Sequence, residues 1–227
     1  MTFIVNGVQE SDDRWPLRIT KLEAGESRAF DFTRGTYYIM LQEASYYSDS
    51  VKLEHVNAAL AVNNHFTVKC GSGTAVVVEY MGLRLLESRY YVQDRLGQGN
   101  LSYMDGGTNT TAINPGRLGD PVINYVHFPA GMVQTMHTHP SPRVGMVLRG
   151  LGYVETPEFE DGIQKVYNLK QGDVFFLNRN VEHFFSCPYE NEDVVLFVFA
   201  PDSGTGPTDE VNPLKIRTYI GQQRYAR

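Results

Sequence analysis

The stretch Gly131-Met-Val-Gln-Thr-Met-His137-Thr-His139-Pro-Ser-Pro-Arg143-Val-Gly-Met-Val-Leu-Arg-Gly150 decides how the rest of the chain is read. Side chains two apart in an extended strand point to one face, so His137 and His139 can offer two imidazoles to one metal ion. Further on, Gly172-Asp173-Val174 opens another apolar run, and His183 follows eleven residues after that glycine. A hairpin could carry His183 back against the first pair. Imidazole suits Zn, Fe, Cu and Ni alike, so three histidines predict a metal site without choosing the metal.

Outward from this stretch, strand signals dominate. Runs rich in Val, Ile, Tyr and Phe lie at 36–41, 66–69, 75–80, 122–128, 144–148, 174–177 and 194–199. Turn-forming clusters separate them, among them Gly71-Ser72-Gly73, Asn114-Pro115-Gly116 and Gly119-Asp120-Pro121. Such a pattern predicts an all-β sandwich or barrel. Two segments read as weak helices instead: 51–60, where Val51, Leu53, Val56 and Leu60 recur irregularly, and 82–91.

A faint repeat runs through the chain. His65-Phe66 precede Cys70 and the run 75–80; His183-Phe184, 118 residues on, precede Cys187 and the run 194–199. Two copies of one β unit would explain it. The expected division is an N-terminal unit over 1–96, a linker or crossover loop over the Gly-, Asn- and Thr-rich 97–120, and a C-terminal unit over 121–227.

Composition sets limits. The chain has 227 residues, 42% hydrophobic and 20% charged, which is a globular composition with length enough to bury a core. Twenty basic against 26 acidic residues leave a net charge of −6, which excludes general attraction to nucleic acid or an anionic membrane. No apolar run approaches the roughly 20 residues that span a bilayer. The opening Met1-Thr2-Phe3-Ile4-Val5-Asn6 lacks the pattern of a secretory signal, so a cytoplasmic location is expected. Cys70 and Cys187 are expected to be reduced and buried as small apolar residues. The tyrosine pairs at 37–38, 46–47 and 90–91 suggest strand packing and an interface in the first half, as in a homodimer.

The spacings around the histidines resemble the two motifs of the cupin superfamily. The first is Gly, five residues, His-x-His, three or four residues, Glu, six residues, Gly. Every spacing from Gly131 to Gly150 matches, but Arg143 stands at the Glu ligand's position. The second is Gly, five residues, Pro-x-Gly, two residues, His, three residues, Asn. Gly172 and His183 match it, while Asn178, Asn180 and Cys187 replace Pro, Gly and Asn. The 21 residues between the motifs, 151–171, fall within the family's range.

The resemblance implies a double-stranded β-helix, a jelly-roll-like barrel, twice in one chain. It places a mononuclear metal site in the C-terminal barrel on His137, His139 and His183. The first half, which has no His-x-His, would be a degenerate unit, with His65 an isolated histidine. Arg143 cannot replace the glutamate as a ligand, because a guanidinium stays protonated and has no acceptor. Three neutral histidines would leave positions open for water, oxygen or substrate, as catalytic metal sites do. Three-histidine sites occur in this family among dioxygenases, including the two-unit gentisate type. The expected activity is therefore an oxidoreductase, a dioxygenase on a small acidic substrate. Its cofactor would be one divalent ion, Fe(II) first, with Mn, Ni or Zn as alternatives. Arg143 would anchor the substrate carboxylate through its planar fork, and Gly145 would leave room beside the metal. An arginine close to a divalent cation lowers metal affinity unless an anion lies between them, or unless the arginine turns away. Two other readings stand beside this one. One is a sugar-acid isomerase of the two-unit type, whose members generally keep the glutamate. The other is a non-catalytic cupin that binds a small molecule. Glu182 should face away from the site, and His127 should be a satisfied core histidine.

Overall fold

The structure of the chain is a computed structural model. It describes residues 1–3, 7–10, 15–31, 35–81, 85, 87–160, 163–203, 219–220 and 223–224. They form two compact units, one over 4–95 and one over 1–3 together with 96–227. The first strand, β1 (Thr2–Phe3), thus belongs to the second unit.

The first unit holds β2 (Gly7–Glu10), β3 (Leu17–Leu22), β4 (Ser27–Phe30), β5 (Thr36–Tyr47), β6 (Lys52–Val62), β7 (Phe66–Lys69), β8 (Thr74–Tyr80) and β9 (Arg89–Val92). Hydrogen bonding orders them β2-β3-β8-β5-β6-β9, with β7 pairing both β5 and β4. Ile39, Leu41, Leu60, Val62, Val68 and Val77 pack together as the core. Beside them Phe30 stacks on Phe66 with ring centroids 4.9 Å apart, and Tyr37 meets both rings edge-on.

Residues 51–60, expected as a weak helix, lie in β6 instead. The apolar spacing was irregular because the strand changes phase. His55 has φ 52°, and the pairing with β5 slips on both sides of Ala44, opposite Val56. Val51 and Leu53 keep a period of two before that point; Val56, Ala58, Leu60 and Val62 keep it afterwards, and all six face the same core. Of the other expected helix, residues 82–84 and 86 lie outside the described residues, and 89–92 are the strand β9.

The second unit adds β10 (Leu101–Ser102), a 3₁₀ turn at Met104–Gly106, β11 (Thr108–Ile113), β12 (Val122–Phe128), β13 (Arg143–Arg149), β14 (Leu151–Glu160), β15 (Ile163–Lys170), β16 (Val174–Leu177), β17 (Phe184–Ser186) and β18 (Val194–Ala200). One sheet runs β1-β16-β13-β18-β12-β11-β10 and a second runs β15-β14-β17. A hairpin of β19 (Tyr219–Ile220) and β20 (Gln223–Arg224) follows. The core between the two sheets includes Val126, Phe128, Val147, Phe175, Leu177 and Leu196.

The segment 97–120, expected as a linker or crossover loop, is part of this unit and carries β10, the 3₁₀ turn and β11. Its loop-like composition has a structural cause. Thr108, Asn109 and Thr111 are buried in the sheet, and the Asn109 side-chain amide donates to Asn124 Oδ1 at 3.0 Å. Polar residues that satisfy one another inside a sheet look like a loop in the sequence. The faint repeat also has a counterpart. Phe66 opens β7 as Phe184 opens β17, Cys70 and Cys187 follow these strands, and both thiols are buried and free.

Candidate metal centre

Two isolated bridges build the site. Val133 pairs with Ser186, and His137 pairs with His183. Backbone bonds close the second bridge in both directions: His137 N–H donates to the His183 carbonyl and His183 N–H to the His137 carbonyl, each at 3.0 Å. The two bridges are four residues apart on one chain and three on the other, so the 133–137 segment carries one extra residue. That bulge changes which side chains face inward. Met132 and Gln134 are buried on one side of it and His137 and His139 on the other, while Val133 and Thr135 are exposed.

The structure brings His137, His139 and His183 together. They are 1%, 6% and 2% exposed, and one ring nitrogen from each lies within 4.8 Å of the others. Two of the rings are held by their own loops. His137 Nδ1–H donates to the Thr135 carbonyl at 2.8 Å, and His183 Nδ1–H to the Val181 carbonyl at 2.9 Å. That tautomer leaves Nε2 of both rings as the lone-pair nitrogen. His183 Nε2 is fully buried and has no hydrogen-bond partner. A buried acceptor with no donor costs stability unless a cation or a proton satisfies it. These donors therefore fit a metal ion, and the three histidines form a site able to bind one.

The electrostatics agree. Burial, reinforced by the Arg143 charge, pulls His137 down to about 4. Burial first and the neighbouring His137 second pull His183 well below the ordinary imidazole range. Both rings are thus neutral, as ligands must be. In the unfolded chain His137 takes up its proton near 6.5, in the folded protein only near 4. Between those values the unfolded state binds more protons, so the metal-free protein loses stability as pH falls through this window. His137 alone should account for about 2 kcal/mol between pH 7.5 and 5.0. Urea midpoints of metal-free protein at the two pH values check this; equal midpoints would contradict it.

Arg143 opens β13, is 2% exposed and lines the same cavity as the three histidines. Its Nη1 donates to the Ser141 carbonyl, Ser141 Oγ and the Pro142 carbonyl at 3.0, 2.7 and 3.0 Å. Ser141 Oγ in turn donates to Asp202, whose carboxylate is also buried. Ser141 thus links Arg143 to the Asp202 carboxylate. Gly145 does not leave the room expected of it. The ring of Phe175 fills the space, and a Cβ on Gly145 would fall 2.0 Å from Phe175 Cζ.

The cavity is small, about 30 Å³. Its walls are mostly apolar, with Val126, Phe128, Phe175, Leu177 and Phe185 among them. Tyr103 and Gln134 also line it, and neither stood out in the sequence. Gln134 lies within the histidine motif, but only the bulge turns it inward; Tyr103 comes from the segment read as a linker. Glu182 is exposed and lies outside the site. His127 Nε2 contacts Asp193 Oδ2 at 3.1 Å, and His65 lies on the surface beside Asp31. Asn180, where the second motif has glycine, has φ 59°. Asparagine tolerates that left-handed turn, and Asn180 N–H donates to the His139 carbonyl at 2.7 Å, which ties the turn before His183 to the histidine pair.

In the first unit, β4 pairs with β7 so that Phe30 lies opposite Phe66.

No known family's sequence profile matches the chain, and no curated protein sequence resembles it. Solved structures do match. An IolB-like protein from Salmonella typhimurium LT2 superposes with a TM-score of 0.60 at 12% identity, over 89% of this chain and 92% of that one. A cupin 2 conserved barrel domain protein from Leptotrichia buccalis gives 0.53 at 15% identity, over 87% and 88%. The Lactobacillus farciminis oxalate decarboxylase formate complex gives 0.50 at 10% identity, over 91% and 84%. At these identities the likeness concerns the fold, which agrees with the sheets, the motif spacings and the three clustered histidines described above. The chain has the fold of the cupin superfamily.

Proposed function

We propose that the second unit is a mononuclear metal-dependent enzyme that acts on a small carboxylate, with oxygen insertion as its reaction. The buried, unpartnered Nε2 of His183, beside the donor nitrogens of His137 and His139, is the observation that carries this reading. When bound, a divalent ion such as Fe(II) supplies Lewis acidity and electrons for oxygen chemistry. The protein's own part is to hold three neutral imidazoles, exclude water with an apolar wall and orient the acid against Arg143.

Size narrows the substrate. The cavity beside the histidines is small and walled mostly by apolar side chains, so a compact acid suits it and a bulkier one would need side chains such as Phe175 to move. That counts against the sugar-acid isomerase reading, whose substrates are much larger.

Elemental analysis of the purified protein tests the metal. Oxygen uptake with a panel of acids, formate and oxalate included, tests the reaction. Losing a charge-assisted contact to a carboxylate costs about 1.5–3 kcal/mol, roughly ten- to a hundredfold in affinity. Arg143→Ala should weaken acid binding by that factor while metal content stays level or rises. Arg143→Lys should recover only part, since a point charge cannot reproduce the fork. Unchanged affinity for every acid in the panel would remove Arg143 from the site's chemistry.

A further inference from the structure

The bulge that aims His137 into the site is held from outside by one carboxylate. Asp105 lies in the 3₁₀ turn at Met104–Gly106, in a left-handed conformation with φ 56° and ψ 31°. Its carboxylate accepts two hydrogen bonds from Thr135, from the backbone N–H at 2.6 Å and from Oγ–H at 3.0 Å. Thr135 is the outward-facing residue between Gln134 and His137, and its carbonyl is the group that accepts from His137 Nδ1–H.

We infer that Asp105 is a positioning residue for the metal site: by pinning Thr135 at the bulge, it fixes both the direction and the tautomer of His137. The inference rests on the three-histidine metal site proposed above. The geometry forms one chain of contacts. A carboxylate holds Thr135 in place, the Thr135 carbonyl holds Nδ1–H, and Nε2 is left bare toward the other two histidines. Without the carboxylate, Thr135 is exposed and its carbonyl is free to swing, and His137 can then carry its proton on either nitrogen. Outer contacts of this kind are worth about 10- to 100-fold in metal affinity. Asp105 is exposed and on a turn, so it acts through Thr135 and touches neither metal nor substrate.

Left-handed backbone suits asparagine and glycine, so Asp105→Asn and Asp105→Gly should both preserve the turn. Zn(II) and Ni(II) affinity, measured by competition with a chromophoric chelator, should fall about 10- to 100-fold in Asp105→Gly and less in Asp105→Asn, which keeps one acceptor oxygen. Thr135→Val should weaken metal binding and Thr135→Ser should restore it. In metal-free protein, ¹⁵N chemical shifts should show His137 as the single Nδ1–H tautomer in the wild type and as a mixture in Asp105→Gly. Wild-type affinity in both Asp105 variants, with the tautomer unchanged, overturns the inference. If the wild type itself takes up no metal, the proposed function falls, and the tautomer measurement alone decides the role of Asp105.

Discussion

Replacing His183 with alanine should abolish metal uptake at micromolar concentrations. Structural zinc sites bind with about 10–16 kcal/mol through four ligands, so one of three ligands is worth on the order of 100- to 1,000-fold in affinity. His183 also carries the buried, unpartnered nitrogen that the ion would satisfy. The readout is a thermal shift. An ion at a hundredfold excess over its dissociation constant stabilises the folded state by about 2.7 kcal/mol, or roughly 5–10 °C in a domain of this size. The wild type should show that shift with at least one of Fe(II), Mn(II), Ni(II) and Zn(II), and His183→Ala with none of them. An equal shift in both proteins would place the metal somewhere else.

Gly150→Ala should severely destabilise the second unit while touching none of the site residues. Gly150 joins β13 to β14 with φ 93°, and a Cβ built on it would lie 1.7 Å from the Asp193 carbonyl oxygen and 2.8 Å from its carbon. The carbonyl cannot retreat easily. The Asp193 carboxylate is gripped by Arg149 Nη2 at 2.6 Å and Nε at 3.2 Å, and by His127 Nε2 at 3.1 Å. Backbone overlap together with a left-handed residue should cost at least about 4 kcal/mol, against a total stability of about 5–15 kcal/mol. Urea unfolding measures it; a loss below about 1 kcal/mol would mean that the turn can open without consequence.

What could be read from the chain and what could not divide along physical lines. His137 and His139 were legible because a strand's period of two turns spacing into direction, and His183 and Arg143 because their spacings resemble the cupin motifs. The two-sheet architecture was legible because short β-branched runs between turn residues have few other solutions. Residues 51–60 misled because one left-handed residue, His55, moves the apolar positions by one and breaks the period. The 97–120 segment misled because its Thr and Asn are buried in a sheet, where Asn109 bonds Asn124 on the next strand, which a linear composition cannot show. Tyr103, Asp105 and Asp202 were invisible for a related reason. They come from segments distant in sequence, and only folding brings Tyr103 to the cavity, Asp105 to Thr135 and Asp202 to Ser141. The room expected beside Gly145 depended on where Phe175 points, which spacing does not determine.

Both edges of the seven-stranded sheet are strands of two residues, β1 and β10. Long, flat, apolar edges invite pairing with another chain, and very short ones discourage it. On the β1 side the protection depends on the order of synthesis. Thr2 and Phe3 pair with Phe176 and Phe175, about 170 residues later. At roughly 5–20 residues per second that interval is about 10–35 s, during which β1 is made without its partner. When β16 then emerges, Val174-Phe175-Phe176-Leu177 is itself an open apolar edge until β1 docks. The open edge of β16 is thus closed by two residues made about 170 residues before it.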